Sequence, residues 1–418
     1  MHNQHPRALV HLDEPYTHKA VVRALQHSSR LNWDIIQDVA DDHADAAMPN
    51  VSLQWLEYEM INWSLAQQET TMANAYCIRK GLIRKAQLSY NMAKYLSKHP
   101  DSILKQAIPE TWLFELDHID YLDEALNEVF EVERDLKENE ESGEIRHMFI
   151  IKPSMANKAA GIHVFHTLDQ LCSIFEQEES ESESEEEDCS DRDDDDSGYG
   201  KGVIDYDDRE DLTQVREWVI QRYIHKPMLV NNRKFHVRAY VLAVSNIKVY
   251  LYRDMLALFA LKEYNLDNVS DSLAHITNTC IQTDHADFDE STSVRLFWDL
   301  VESGVALSDL ESIFEKMQRV LADVFDACAS EMTTFQAIPN AFELFGVDFM
   351  VDQDMNVYFL EANAFPDFKQ TGSKLQHVVQ ELFDATVATA IDPFFEKEEP
   401  KSHPKLIKVL EKELLSLH

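Results

Sequence analysis

The stretch Glu343 to Gly372 constrains the fold of this chain more than any other, because acids sit there inside an otherwise apolar pattern. Leu344 to Val351 and Val357 to Ala362 are rich in Val, Phe, Leu and Tyr, and Asp352 to Asn356 between them is turn-like, so the pair reads as a β-hairpin. With the turn centred between Asp354 and Met355, period-two alternation sets Asp348 opposite Glu361, and Asn363 follows on the same face. Two carboxylates and an amide oxygen converging there repel one another unless a hard divalent cation, Mg2+ above all, joins them. Two readings fit the stretch taken alone: a cation-binding wall, or a sheet with one wet face that carries two acids.

The 418 residues suffice for two or three packed units. Lys and Arg number 38 against 76 for Asp and Glu, a formal net charge of −38. Such a field repels nucleic-acid phosphates, anionic membranes and acidic protein tails unless a local basic groove overrides it, so neither direct nucleic-acid contact nor membrane contact is expected. The five cysteines are far apart and form no CxxC pair, which argues against a disulfide framework or a zinc site and for a reducing compartment. No signal-peptide core or membrane-length apolar run is present, and a soluble cytoplasmic or nuclear protein is expected.

Along the chain, Ala8 to Leu12 reads as a strand and Thr17 to Gln26 as a helix, a small α/β unit within residues 1–75. From Ser52 the pattern turns helical, with Trp55, Tyr58, Ile61 and Trp63 to Leu65 on a buried face. A basic amphipathic helix follows, carrying Arg79, Lys80, Arg84, Lys85, Lys94 and Lys98; it is either a cationic patch or a solvated face. Leu122 to Glu138 reads as another charged helix. Phe149 to Pro153 is a short buried-type strand that ends in Lys152 and leads into a small-residue loop, an arrangement that sets a cation and backbone N–H groups on phosphates.

The run of acids and serines beginning at Glu176 cannot bury enough apolar surface to fold, and residues 176–211 are expected to be a disordered insert. Strands are expected at Trp218 to Tyr223, Lys234 to Ser245 and Ile247 to Tyr252. In the second, Lys234, His236 and Arg238 share one face, set either toward phosphates and a carboxylate or toward local acids. Thr277 and Asn278 offer hydrogen-bonding groups in a loop, and helices are expected at Phe297 to Ser303, Leu307 to Met332 and Ser373 to Ile391. Leu406, Leu410, Leu414 and Leu417 form the apolar stripe of an expected helical tail, 396–418. The expected units are thus 1–75, a central lobe 76–217 containing the insert, a C-terminal lobe 218–395, and the tail.

The order of Lys152-Pro153, IQRYIHKP, RKFHVR, YRD, HITN and an aspartate followed by LEAN resembles the tubulin-tyrosine ligase-like family, an ATP-grasp branch. The likeness runs from about Ile83 to about Gly372, and NAFPDFKQTG and YRDMLALFA look most like its fungal branch, represented by a processing-body-associated protein that contacts mRNA decapping factors. The resemblance implies an α/β ATP-grasp fold with ATP and Mg2+ between the central and C-terminal lobes. On it, Lys85 and Lys152 contact phosphates, Gln221, Arg222, Tyr223 and Ile224 form the hinge that reads adenine, and Thr277 and Asn278 lie near the ribose. Lys234 reaches the γ-phosphate, Asp348, Glu361 and Asn363 hold Mg2+, and Arg238 and Arg253 bind the acyl-phosphate region.

The implied chemistry is ligation of an amino acid to a protein carboxylate through an acyl-phosphate. Tubulin is the family's default acceptor, although the net charge opposes an acidic tail. A catalytically silent ATP-binding scaffold of a cytoplasmic mRNA-decay assembly is the second reading. Three positions depart from the family's pattern: His236 replaces an aspartate, Leu258 an arginine, and the loop after Lys152 is poor in glycine.

Overall fold

The structure is a computed structural model that describes residues 5–37, 50–154, 160–177, 217–283, 285–364, 366–372 and 375–412. Nearly all of the expected acidic insert, from residue 178 on, lies outside the described residues.

The N-terminal unit is a parallel sheet of strands β1 (Arg7–His11), β2 (Asp34–Ile36), β3 (Val51–Leu56) and β4 (Met72–Ala73), in the order β2-β1-β3-β4. Helix Pro15–His27 crosses it, started by the Glu14 carboxylate, which accepts the Thr17 amide at 2.7 Å. The helix expected from Ser52 is instead strand β3, in which every residue but Ser52 is buried, as befits a strand covered on both faces. Two short helical turns behind it, Tyr58–Met60 and Trp63–Ala66, supplied the apparent helical spacing.

The central sheet is antiparallel, with β5 (Thr111–Glu115), β6 (Phe149–Pro153), β7 (His163–Phe165) and β8 (Glu217–Arg222) in the order β5-β8-β6-β7. Phe149, Ile151 and Phe165 bury one face against Val132 and Leu136. The single helix expected over Leu122 to Glu138 is two, Leu122–Glu128 and Phe130–Ser142, parted at Val129, whose φ of −116° and ψ of 43° are not helical. Strand β8 pairs with β5 and β6, so a division at 217/218 does not separate the elements. Tyr76, Leu82, Leu88 and Met92 pack instead into the core of the third unit.

That third unit holds β9 (Leu229–Val230), β10 (Arg233–Val244), β11 (Lys248–Tyr252), β12 (Leu256–Phe259), β13 (Val294–Leu296), β14 (Phe342–Val351), β15 (Val357–Asn363) and β16 (Leu406–Glu411). Strand β10 is its axis, with β14 along one edge and β12 then β11 along the other. Side chains alternate across a strand, and here the alternation sorts chemistry. Phe235, Val237, Ala239, Val241 and Ala243 bury against Phe314, Met317, Leu321 and Phe325 of helix Leu307–Ala329. On the other face Tyr240, Leu242 and Val244 pack beneath the N-terminal unit and helix Gln376–Thr386, while Lys234, His236 and Arg238 line a cavity.

A buried ion pair ties this sheet to the segment before it. Arg79 Nε lies 2.9 Å from Glu343 Oε1. Glu343 also accepts the Tyr76 amide at 3.0 Å, and the Arg79 guanidinium stacks 3.6 Å above the Tyr58 ring. Burial raises the Glu343 carboxyl to about 8, with Arg79 and the Tyr76 amide pulling the other way.

The tail is not helical where it is described. Strand β16 pairs antiparallel with β11, setting Leu406 against Tyr252 and Leu410 against Val249. Leu414 and Leu417 lie outside the described residues. Ending the chain before Leu406 is expected to lower stability by about 1.5–3 kcal/mol for that buried leucine alone. It would also bare the β11 edge for pairing between molecules. Denaturant midpoints read the first effect and concentration-dependent light scattering the second.

Candidate active site

The acidic wall owes its orientation to a bulge. Around the turn Val351 pairs with Val357 and Phe349 with Phe359, so the hairpin is not centred between Asp354 and Met355 as expected. The register then shifts by one residue, and Asp348 pairs with Glu361 after all. Before the shift Val357 and Phe359 face the core, and after it Ala362 and Ala364 do. Glu361 and Asn363 are thereby turned to the cavity, where a regular strand would have buried Glu361 beside Phe359.

The cavity, about 490 Å3, lies between the central sheet and the C-terminal lobe. It brings together Lys85, Lys152, Lys234, His236, Arg238, Thr277, Asn278, Asp348, Glu361 and Asn363. Lys85 reaches it because the basic segment is broken: Arg84 is extended, with φ −95° and ψ 123°, between helices Lys80–Ile83 and Lys85–Lys98. Its ammonium is 3.4 Å from Glu361 Oε2. Although burial opposes ionisation of Glu361, Lys85, Lys152 and Arg238 hold its carboxyl well below the usual range.

Lys152 and Lys234 are buried, 6% and 4% exposed, and neither forms a carboxylate ion pair among the described residues. Lys234 Nζ donates to Tyr223 Oη at 3.0 Å and to the His275 carbonyl at 2.9 Å, while Tyr223 Oη meets His275 Nδ1 at 2.8 Å. This relay, which nothing in the sequence announces, aims the ammonium. Burial lowers Lys152 to about 8, Glu361 partly opposing it, and lowers Lys234 to about 7 with help from Lys152. Two buried ammoniums lacking carboxylate partners, in a chain of net charge −38, call for an anionic ligand.

The other expected residues are placed differently. Arg238 is pinned by Asp348, with Nε to Oδ1 at 2.5 Å and Nη2 to Oδ2 at 3.1 Å. Gly346 leaves room for this pair, since a Cβ there would meet Pro366 at 3.1 Å and Arg238 Cδ at 3.4 Å. Arg253 is not brought to the cavity. It continues the face of Val249 and Leu251, on the far side of the sheet, where its guanidinium stacks 4.3 Å from the Trp298 ring and 5.4 Å from that of Phe314. Arg253→Met is expected to leave nucleotide affinity unchanged by calorimetry; a loss beyond error would return Arg253 to the site.

Gln221, Arg222, Tyr223 and Ile224 do not line the cavity. Gln221 donates to Thr111 Oγ1, and Arg222 binds Glu110 and Asp135 at 2.9 Å each while lying over the Phe149 ring. The apolar lining comes instead from Ile150 and Ile162 on one side and Ile276, Met350 and Leu360 on the other, residues that sequence reasoning missed. His236 and Leu258 prove to be cross-strand partners, and Leu258 is fully buried. Asp135, Glu138 and His147 also cluster within reach of one ion, but Arg134, Arg146 and Arg222 already neutralise them.

The lining suits a metal-bound nucleotide. Lys85, Lys152, Lys234 and Arg238 face Asp348, Glu361 and Asp367, a formal charge of four positive minus three negative, or +1. A triphosphate overturns that balance and leaves a divalent cation to restore it.

The sequence profile of the tubulin-tyrosine ligase family matches residues 64–399. The chain belongs to the tubulin-tyrosine ligase family. A probable tubulin–tyrosine ligase of Schizosaccharomyces pombe is 38% identical over 351 residues, covering 82% of this chain and 84% of that protein. The probable tubulin–tyrosine ligase PBY1 of Saccharomyces cerevisiae is 38% identical over 354 residues, 81% of this chain but 46% of its own length. Among solved structures, the C-terminal domain of K. lactis Pby1 superposes with a TM-score of 0.68 at 28% identity, covering 97% of this chain and 99% of that one. That protein is described as an ATP-grasp enzyme interacting with the mRNA decapping enzyme Dcp2. The fold here is accordingly the ATP-grasp fold. No helix among the described residues is long and apolar enough to cross a membrane.

A nucleotide whose phosphates met Lys152 and Lys234 would bind in a pH-dependent way. It would raise the affinity of both lysines for protons, so above their ligand-free values of about 8 and about 7 binding would take up protons. Affinity is then expected to fall as pH rises from about 7 to 9, by up to about tenfold per unit for each lysine. Calorimetry at pH ~8.5 in buffers of different ionisation enthalpy would show an uptake approaching two protons. Lys234→Met should remove one of them.

Proposed function

We propose that this chain is an ATP- and Mg2+-dependent carboxylate–amine ligase that joins an amino acid to a protein carboxylate through an acyl-phosphate. The observation that carries this reading is the opposition, across one cavity, of the buried lysines Lys152 and Lys234, which have no carboxylate ion pair among the described residues, to the carboxylates Asp348 and Glu361.

In this reading Lys85, Lys152 and Lys234 hold the phosphates, and the apolar lining of Ile150, Ile162, Met350 and Leu360 takes the base. Asp348, Glu361 and Asn363 would hold Mg2+, which when bound offsets charge on the transferring phosphoryl group. Arg238, fixed by Asp348, sets its charge toward the acceptor carboxylate as a carboxylate oxygen attacks the γ-phosphorus and the bond to the β-phosphate breaks, releasing ADP. The neutral amine then attacks the acyl carbon, phosphate leaves, and the amine nitrogen gives up a proton. This path is positioning and electrostatics, and it asks for no Ser, Cys or His nucleophile.

The family's names make tubulin one candidate acceptor, while the net charge of −38 opposes an acidic tail. The likeness to a Dcp2-interacting protein favours an acceptor or partner within a cytoplasmic mRNA-decapping assembly. A second reading, an ATP-binding scaffold without catalysis, is favoured by the acceptor side, where Arg253 is absent from the cavity and Leu258 is buried. Purified protein with ATP, Mg2+, labelled amino acids and cell extract separates the two. Label entering protein supports the ligase, and tight ATP binding with neither label transfer nor ADP release supports the scaffold.

A further inference from the structure

A second cavity, of about 150 Å3, lies where the N-terminal unit meets the C-terminal lobe. Trp55 of β3, Phe342 of β14, Phe368 and Phe383 line it with rings, and Glu14 and Glu57 line it with carboxylates. Among the described residues, no lysine or arginine lines it. Glu14 is already engaged in starting helix Pro15–His27, where it accepts the Thr17 amide at 2.7 Å and the Thr17 hydroxyl at 3.0 Å. Glu57 has less to hold it. It is half-buried and accepts the Asp13 amide at 2.9 Å, and the charged groups around it are Asp13, Glu59 and His11, with no lysine or arginine. Burial raises its carboxyl, and the charges of Asp13 and Glu59 add to that, against the Asp13 amide and His11. A carboxylate so placed is stabilised by a cation that the chain itself does not supply.

This cavity adjoins the nucleotide site. Ala364 lines both, and in the segment after it Asp367 lines the first while Pro366 and Phe368 line the second. The junction therefore lies one residue beyond Asn363, at the end of the acidic wall.

We propose that the second cavity holds the side chain of the amino donor, and that this side chain is an alkylammonium of lysine size. The inference rests on the ligase reading of the nucleotide cavity. An apolar cavity of about this volume takes up a benzene-sized molecule, and the methylene stem of lysine is of comparable bulk. Aromatic walls suit such a chain twice, since they pack against the stem and their ring quadrupoles attract the ammonium. Glu57 supplies the countercharge. A neutral aromatic side chain would fill the same space and leave Glu57 without a cation, and a glutamate side chain would be repelled by it. With the ε-ammonium held at Glu57, the neutral α-amine at the junction attacks the acyl carbon. The C–N bond forms, the bond from that carbon to the phosphate oxygen breaks, and the nitrogen gives up a proton.

Transfer assays with the full chain, ATP, Mg2+ and desalted cell extract in which translation is blocked test this, with labelled lysine, tyrosine or glutamate as donor. Label from lysine is expected to enter protein at a lower concentration than label from the other two. Norleucine, which has the stem of lysine without its ammonium, should compete at least about tenfold more weakly than unlabelled lysine, the scale of losing a hydrogen bond to a charged group. Glu57→Gln keeps an acceptor for the Asp13 amide and should raise the KM for lysine by about tenfold or more, with a far smaller change in the KM for ATP. Transfer of another amino acid in place of lysine, norleucine competing as well as lysine, or an unchanged KM for lysine in the variant overturns the proposal and leaves the ligase reading standing. Transfer of no amino acid overturns both. Should the variant not fold, the norleucine comparison in the wild type decides.

Discussion

Glu361→Gln is expected to reduce ATP-driven transfer of labelled amino acid by about 10²–10³-fold, the scale associated with removing one preorganised group that stabilises charge in a transition state. The change keeps the shape of the side chain and removes its charge. The lining then moves from a formal +1 to +2, so metal-free nucleotide should bind no more weakly than before. What should weaken is the Mg2+ dependence of binding, because one of two facing carboxylates no longer attracts the ion. Calorimetry with ATP in the presence and absence of Mg2+ checks this. A variant with full transfer activity would remove Glu361 from the metal wall.

Arg79→Met is expected to cost about 3–5 kcal/mol of stability, the usual result of breaking a buried ion pair on one side. Glu343 would remain 1% exposed with its Tyr76 amide bond but without its cation. Burial raises that carboxyl to about 8 even though Arg79 pulls it down, so without Arg79 it should rise further and the lone acid should be protonated at neutral pH. The folded-state value lies above the unfolded one, so the folded form of the variant binds the extra proton, and its stability should fall as pH rises toward and through that value. Denaturant titrations of wild type and variant at several pH values measure both effects. A loss below about 1 kcal/mol would mean that the ion pair adds little net stability, since the substitution removes the Tyr58 stack along with it.

Much of this was legible in the residues, and the failures have physical causes. The row Lys234, His236 and Arg238 was readable because period two admits no other arrangement in so long a strand. The same rule applied one residue beyond β11 puts Arg253 with Val249 and Leu251, away from the site, against what the YRD motif implies. The bulge left a trace as well. Apolar positions switch from odd to even between Phe359 and Ala362, and a regular hairpin cannot do that. The tail was ambiguous in principle, since leucines four apart satisfy both the helical repeat and strand alternation. The Tyr223–His275–Lys234 relay was hidden, because its members come from three separate elements that only the fold brings together.

Strand β16 also bears on the order in which the molecule can be completed. Its partner β11 is made long before it, and during synthesis that edge of the C-terminal sheet stays bare until residue 411 has left the ribosome. The newborn chain therefore carries an open template for pairing with its neighbours while residues 253–405 are being made. Chaperone dependence should accordingly track the β16 segment more closely than the residues that line the cavity.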